Sequence, residues 1–483
     1  MGRLSLMFDL ERCIGCKSCE AACKQEHGLG PGEYRNRVVW LPDGEAPGLD
    51  FLTVACQHCE RPACLRACPV NPKAISKDPE NGVVAINEGQ CTGCGECVTA
   101  CPYGAMGYDP RGHHAVKCDL CSDRRSEGLS PACASVCPGS AITFGERVDH
   151  IERAESEGRM IRDHDSFLLG PATIYLDRMY RREGAVPLPE RKQPAVVDPP
   201  EAQLAFEQSG AAFPYGLPRP ERKPDRVEPG SCTLCFNTCS VKFHFSGDKL
   251  VKITGNEEDP ILQGRVCPKS QHTLQMYHND RRLTQPLKRV GARGEGKFEP
   301  IGWEQALDEI AAKLEPLRQN EPEALGIFAG TRTGMITIRG YIRLFGQMWG
   351  TPNLETTDPF CAAGKNITYQ MTQGANGCGN SYTEEDIGSA GMYLYIGDNQ
   401  AETRPVYFGM VNNWRVKNGT KMVVVDPRYS ATASKADRWH GIRPGTDMAL
   451  GLAMSQHIFA QQLHDQRYCE NWVEGWEKWR DFL

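Results

Sequence analysis

The sequence predicts an α+β region of short elements wrapped around metal clusters, then a small fifth cysteine site, then a parallel α/β region. Three observations predict it. Twenty of the 23 cysteines in the 483 residues fall into five tight groups. A proline-rich, charged stretch separates the first four groups from the fifth. Beyond that stretch, short apolar strands alternate with amphipathic helices, the pattern of a parallel sheet.

The groups are Cys13/Cys16/Cys19/Cys23, Cys56/Cys59/Cys64/Cys68, Cys91/Cys94/Cys97/Cys101, Cys118/Cys121/Cys133/Cys137 and Cys232/Cys235/Cys239/Cys267. Each supplies the four thiolates that a [4Fe–4S] cluster needs, so the chain carries single electrons. Disulfide scaffolds are short chains, and this one is long with its cysteines packed as CxxC runs, which excludes that reading. An apolar fraction of 40% is enough for real cores, and a net charge of −6 gives no basic surface for nucleic acid. The 49 glycines and 33 prolines suit chain that wraps clusters. No apolar run approaches the ~18–20 residues of a membrane span. The N-terminus, MGRLSLMFDLERC, has neither an apolar signal core nor a twin-arginine pair. A cytoplasmic start is expected, with export as a passenger on a partner's signal left open.

Along the chain, residues 1–185 carry sixteen cluster cysteines and an internal repeat, since CIGCKSCEAAC and CTGCGECVTACP are both CxxCxxCxxxC. In two-cluster ferredoxins the fourth cysteine of such a run ligates the other cluster, because it begins a helix that leads away. Pro69, Pro102 and Pro138 follow the last cysteine of three groups and set that exit, whereas the first group has Lys24 there. Residues 186–228, with VPLPERKQPAVVDPP and PRPERKPDRVEPG, read as an extended linker. IGWEQALDEIAAKLEPL places Ala306, Leu307, Ile310, Ala311 and Leu314 at helical spacing. SAGMYLYIGDN and TKMVVVDPR read as strands ending in polar turns, with Val423, Val424 and Val425 fully buried.

On these motifs, residues 1–185 resemble the four-cluster iron–sulfur subunits of the molybdopterin oxidoreductases, such as those of dimethyl sulfoxide and polysulfide reductases. The longer CxxCxxxxCxxxCP form of the second group and the wide gap between Cys121 and Cys133 are features of that family. The resemblance implies a tandem ferredoxin-like domain with four clusters. It also implies exchanged ligation: Cys13, Cys16, Cys19 and Cys137 on one cluster; Cys118, Cys121, Cys133 and Cys23 on another; Cys56, Cys59, Cys64 and Cys101 on a third; Cys91, Cys94, Cys97 and Cys68 on a fourth.

From residue 229 the chain resembles the N-terminal part of the family's catalytic subunit. That implies a [4Fe–4S] domain over 229–290 and, over 291–483, an incomplete α/β (Rossmann-like) region that binds molybdopterin. CTLCFNTC and CPKS look like that subunit's own cluster site, and Lys269 matches the basic residue between this cluster and the pterin. IGDNQAETRP resembles the first pterin-guanine-dinucleotide loop, with Gly397, Asp398 and Asn399 at the turn. In VVVDPRYSATASKAD, Asp426 would accept from guanine and Arg428 would fork onto phosphate. RPGTDMALGLAM matches the family's Pro-Gly-Thr-Asp turn, which gives Gly445, Thr446 and Asp447 as cofactor contacts. Cys361, in DPFCAAGKN, is the candidate side-chain ligand of a molybdenum or tungsten ion held by two pterins, a soft thiolate on a sulfur-rich centre. Cys378 is the runner-up and Cys469 a spectator.

Family catalytic subunits are longer than the portion present, which a split gene with a partner chain supplying the remaining molybdopterin domains, a truncated reading frame or a module that no longer holds metal would each explain; a quinone-linked membrane anchor subunit or another redox partner is also expected. The implied cofactors are five [4Fe–4S] clusters and molybdenum (or tungsten) bis-molybdopterin guanine dinucleotide. No histidine follows Cys361 directly, which leans the expected substrate from formate toward polysulfide, thiosulfate or tetrathionate. A formate dehydrogenase-like enzyme and a non-catalytic electron-transfer scaffold are the alternatives.

Overall fold

Loops that wrap clusters leave room only for short elements, and the first 179 residues fold accordingly. Their order is β1 (Leu4–Asp9), α1 (Ser18–His27), β2 (Asn36–Pro42), β3 (Leu49–Ala55), α2 (Ala63–Ala67), β4 (Ile75–Lys77), β5 (Val84–Ile86) and α3 (Glu96–Ala100). Then come β6 (Met106–Asp109), β7 (His114–Lys117), α4 (Ser122–Ser126), α5 (Ala132–Ser135), β8 (Ile142–Glu146), α6 (Arg147–Ser156) and β9 (Ile174–Leu176). The computed structural model describes residues 2–30, 32–42, 49–109, 112–179, 224–235, 237–279, 282–330, 335–356, 363–374 and 384–483. β1 is the centre of a three-stranded sheet, antiparallel to β8 and parallel to β9, while β2–β3, β4–β5 and β6–β7 are hairpins. The sequence repeat is also a backbone repeat. Gly15 and Lys17 hold φ of 68° and 63°, and the matching Gly93 and Gly95 hold 71° and 76°. Left-handed residues let the chain fold back on itself and keep three sulfurs on one side.

The second unit is an antiparallel sheet of β10 (Arg226–Ser231), β11 (Ser240–Ser246) and β12 (Lys249–Gly255), followed by α7 (Pro268–Tyr277). The third begins with the hairpin β13 (Leu287–Arg289) and β14 (Phe298–Pro300), then α8 (Trp303–Asn320). A parallel pair, β15 (Ile327–Ala329) and β16 (Leu354–Thr356), is joined through α9 (Met335–Trp349), and α10 (Ala363–Gln373) and α11 (Glu384–Ser389) follow. The parallel sheet β17 (Met392–Ile396), β18 (Lys421–Val425), β19 (Arg438–His440) has α12 (Gln400–Thr403) and α13 (Pro405–Asn418) between its first two strands. Helices α14 (Asp447–Ala460), α15 (Gln466–Trp472) and α16 (Trp476–Phe482) close the chain. Among the described residues no helix is long and apolar enough to cross a membrane.

Three expectations are corrected. The stretch assigned to the linker runs into β10, which starts at Arg226; β10 is an edge strand, and an edge tolerates the missing N–H of Pro229 that suggested irregular chain. The linker as far as residue 223 lies outside the described residues. Val424 and Val425 are buried, but Val423 is partly exposed. α8 forms as expected, yet of its apolar stripe only Ala306 is buried, and Leu307 and Ile310 are more than half exposed, with no covering partner among the described residues.

The cluster-bearing unit and the β17–β18–β19 sheet share one hydrophobic core. Leu6, Phe8, Leu10, Ile14 and Phe51 pack in the same cluster as Phe408, Val411, Met422 and Val424. A buried polar network crosses that boundary. Glu11 and Arg415, each with a side chain only 1% exposed, form an ion pair. Asn412 Nδ2 donates to the Glu11 carbonyl at 3.1 Å, and Lys435 Nζ to the Leu10 carbonyl at 2.9 Å. Arg178 reaches Glu11 at 3.5 Å, Asp50 at 2.8 Å and the Ser434 carbonyl at 2.7 Å. Burial pushes Lys435 down to about 8. Burial alone would raise Glu11, but Lys435, Arg415 and Arg178 outweigh it and hold the carboxyl below its usual range.

At this boundary α13 lies against the loop after Cys137. A Cβ on Gly409 would sit 2.4 Å from the Pro138 carbonyl oxygen and 2.9 Å from the Gly139 nitrogen. Neither atom can swing aside, so Gly409→Ala is expected to cost about 1–3 kcal/mol through overpacking, read as a lower midpoint in chemical denaturation.

Candidate cluster and cofactor sites

The fold gathers the cysteines into five cages; the fifth is the fifth sequence group, but the other four exchange a cysteine between groups. Cys13, Cys16, Cys19 and Cys137 line one cavity together with Phe8, Ile14, Val38 and Ile142. Cys56, Cys59, Cys64 and Cys101 line another with Pro62, Val84 and Met106. Cys68, Cys91, Cys94 and Cys97 line a third with Ile75 and Ile86. Cys133 has Cys121, Cys118 and Cys23 as its electrostatic neighbours, and Cys239 has Cys267, Cys235 and Cys232. The exchange arises because α1, α2 and α3 each start among three cysteines of a group and carry the fourth away to the neighbouring cage.

These cages suit a cationic cluster. Burial, then the neighbouring thiols, pushes Cys16, Cys59, Cys97 and Cys239 up to about 12. Cys19, Cys23 and Cys133 are likewise raised well above the ordinary thiol value by the same causes. Thiols that resist ionising one by one become thiolates together only on a metal, so the donor set fits iron. Backbone N–H groups already aim at sulfur: Ala141 at Cys137 (3.3 Å), Leu120 at Cys118 (3.4 Å) and His58 at Cys56 (3.5 Å). His58 accepts from Val84 N–H at Nδ1, and its buried Nε2 has no hydrogen-bond partner among the described residues.

Four cages stand in a row, as shown by thiols that influence one another across cages: Cys19 with Cys133, Cys118 with Cys56, and Cys97 with Cys64. The fifth stands beside this row. Val266 N–H donates to the Val136 carbonyl at 3.3 Å, and Gln271 on α7 donates to the Ser18 carbonyl at the start of α1 at 3.3 Å. On its other side, Cys239 and Cys267 pack on Val406 of α13. Lys269, in the first turn of α7, donates to the carbonyls of Thr403 (2.9 Å) and Glu402 (3.3 Å), which ties the fifth cage to α12, the short helix after β17.

The candidate nucleotide residues converge on one edge of the parallel sheet. Ile396 pairs with Val425 and Val425 with His440, so the strands end level. Gly397, Asp398 and Asn399 follow β17, Asp426 and Arg428 follow β18, Gly445 and Thr446 lie in the loop between β19 and α14, and Asp447 is the first residue of α14. Ligands of open α/β sheets bind at such carboxyl ends. Several of these side chains serve the turns themselves. Asn399 Oδ1 accepts from the Thr432 hydroxyl at 2.9 Å, Asp426 Oδ1 from the Arg428 N–H at 2.8 Å, and the Thr446 hydroxyl donates to the Arg443 carbonyl at 2.7 Å. Asp398 accepts from Gln400 (2.7 Å) and Arg404 (3.2 Å). Gln400 Oε1 is buried with no partner among the described residues, an orphan acceptor that suits a ligand with donor groups. Gln400 and Arg404 lie inside the IGDNQAETRP motif but were not singled out, since a glutamine and an arginine after a turn read as ordinary surface. Cys361 and Cys378 lie outside the described residues. Cys469 is a partly exposed thiol on α15.

Three family models match parts of the chain. Residues 282–479 match the molybdopterin oxidoreductase model, 225–279 the molybdopterin oxidoreductase Fe4S4 domain, and 48–147 a 4Fe-4S dicluster domain. The thiosulfate reductase electron transfer subunit PhsB of Salmonella typhi is 36% identical over 186 residues, which cover 94% of that protein and 37% of this chain. The thiosulfate reductase molybdopterin-containing subunit PhsA of Salmonella typhimurium is 32% identical over 253 residues, 52% of this chain and 32% of that protein. Acetylene hydratase of Syntrophotalea acetylenica is 31% identical over 256 residues, 52% of this chain and 34% of that protein. The chain therefore belongs to the molybdopterin oxidoreductase family, and it joins an iron–sulfur unit of the electron-transfer type to a region of the molybdopterin-subunit type. It spans about a third of the length of PhsA and of acetylene hydratase.

Proposed function

We propose that the chain is the electron-transferring part and the beginning of the catalytic part of a molybdenum or tungsten oxidoreductase acting on a small sulfur compound or oxyanion of the thiosulfate or polysulfide type. The observation that carries this reading is that two different subunits named for thiosulfate reductase, PhsB and PhsA, each match part of this one chain. In this reading the first unit is a tandem ferredoxin-like domain, and all five cages hold [4Fe–4S] clusters. The orphan Nε2 of His58 and the mutually repelling thiols support it. Bound clusters carry single electrons, and the metal with its pterin guanine dinucleotides supplies the two-electron chemistry.

The protein's own residues position these groups. Lys269 fixes the fifth cage against the strand-end loops and offsets cofactor charge beside Cys267. Asp426, Arg428, Asp398, Asn399 and the Gly445–Asp447 turn receive the nucleotide, and Cys361 ligates the metal. A quinone-linked anchor or other redox partner exchanges electrons with the row of cages, and the assembly works on the cytoplasmic side or is exported with its partner. Metal analysis tests the reading. The complete assembly should hold about twenty irons, four for each of five clusters, with one molybdenum or tungsten, and should reduce thiosulfate or polysulfide with a reduced viologen. Full iron without molybdenum or tungsten would overturn the catalytic part.

A further inference from the structure

In three of the first four groups a proline directly follows the last cysteine. The first group has Lys24 instead, and its helix does not stop: α1 runs for 10 residues, whereas α2 and α3 run for 5. Lys24 then anchors the following loop by donating to the carbonyls of Gly30 (2.9 Å) and Glu33 (2.6 Å). The extra turn ends at His27, four residues beyond Cys23 and eight beyond Cys19. Residues spaced by four share a helix face, so His27 lies on the stripe that faces the cages. Its Nε2 stands 3.5 Å from the sulfur of Cys121, a member of the cage that also contains Cys23.

The surroundings leave that nitrogen to the sulfur. Both carboxylate oxygens of nearby Asp119 are engaged, one by the Cys121 N–H at 2.9 Å and the other by Arg35 and the Ser122 hydroxyl, each at 3.2 Å. His27, Asp119 and Cys121 all line a cleft of about 870 Å3 between the cluster unit and the β10–β11–β12 sheet, whose far wall includes Lys252 and His244. The imidazole and the Cys121 residue thus share one wall of the cleft.

We propose that His27 is a positioning residue that donates its Nε2 hydrogen to the Cys121 sulfur and so raises the reduction potential of the cluster held by Cys23, Cys118, Cys121 and Cys133. The inference rests on the cluster reading above. A hydrogen bond to a ligating sulfur draws off negative charge and favours the reduced cluster, which carries one electron more. The first group therefore trades the proline exit of its siblings for an adjustment of one cluster.

The test is an anaerobic redox titration of the full chain, followed by low-temperature EPR and visible bleaching, for the wild type, His27→Leu and His27→Gln. Leucine fills the site without a donor and keeps water from replacing the ring, whereas glutamine restores an N–H. In His27→Leu, one reduction step is expected to move so that its reduced-to-oxidised ratio at fixed potential falls about tenfold, equal to a shift of about −59 mV for a one-electron couple. His27→Gln should recover most of that shift, with iron content unchanged in both variants. An unmoved titration in His27→Leu with full iron would overturn the proposal. Loss of about four irons in both variants would also overturn it, by making His27 a ligand or a structural support. If the wild type itself lacks clusters, the cage reading fails before any variant is compared.

Discussion

Replacing Glu11 by alanine lowers the stability of the chain by about 3–5 kcal/mol, the loss expected when one member of a buried ion pair is removed. The carboxylate is the shared partner of Arg415 and Arg178 and lies beside Lys435, at a boundary where the Glu11, Arg415 and Lys435 side chains are only 1% exposed. Without it, three positive groups remain in the core with one balancing charge fewer. Guanidinium denaturation of the purified chain measures the effect. An Arg415→Met exchange combined with Glu11→Met should cost less than the sum of the two single changes, because no charge is then stranded. A loss near zero for Glu11→Ala would show that the network is dispensable. The pair also sets an acid limit. The Glu11 pKa is held below its ordinary 4.5 by its positive neighbours, so its contribution is fully present above that pH and is lost as pH falls through the lower folded-state value. The unfolding midpoint should decline on that side more steeply in wild type than in Glu11→Gln, which cannot titrate.

Cys23→Ser is expected to remove the cluster of Cys118, Cys121 and Cys133, and to leave the cage of its own sequence group intact. Cys23 belongs to the first group by position, but its thiol neighbours are Cys118 and Cys121, whereas Cys19 lines a cavity with Cys13, Cys16 and Cys137. Iron analysis separates the two arrangements through pairs of substitutions. Cys23→Ser and Cys133→Ser should each remove about four irons, and the double variant should remove no more than either alone, since both act on one [4Fe–4S] site. Cys13→Ser combined with Cys23→Ser should remove about eight irons, four from each of two sites. If the second combination loses only as much as one change, ligation follows the sequence groups and the exchange is wrong.

The cages were legible in the sequence because ligation is written in local spacing. CxxC loops, the helix that follows and the proline that stops it all lie within a dozen residues, whereas the pairing of group one with four and of two with three is implied by the family resemblance and not by the repeat, which relates groups one and three. The level strand ends were legible for a similar reason, since an apolar run followed by a polar turn marks where a parallel strand stops. The boundary network was not legible. Glu11 lies 404 residues from Arg415 and still farther from Lys435, and a single charged residue in a sequence reads as solvated surface; only the fold reveals that the Leu10–Glu11 backbone is covered by α13 and the turn at Lys435. β10 was missed because proline marks a linker and an edge strand equally well. His27 was overlooked although its signal was present. That signal is the missing proline after Cys23, which lets α1 run on to His27.

The core shared by the cluster unit and the nucleotide-edge sheet has a consequence for supply. Two separate chains meeting through such a surface would separate on dilution, and the cell would have to match their amounts. Here both sides are translated together, so docking is intramolecular and independent of concentration. Each ribosome delivers one set of cages for every sheet, and the heat-unfolding midpoint should stay fixed when the protein is diluted a hundredfold.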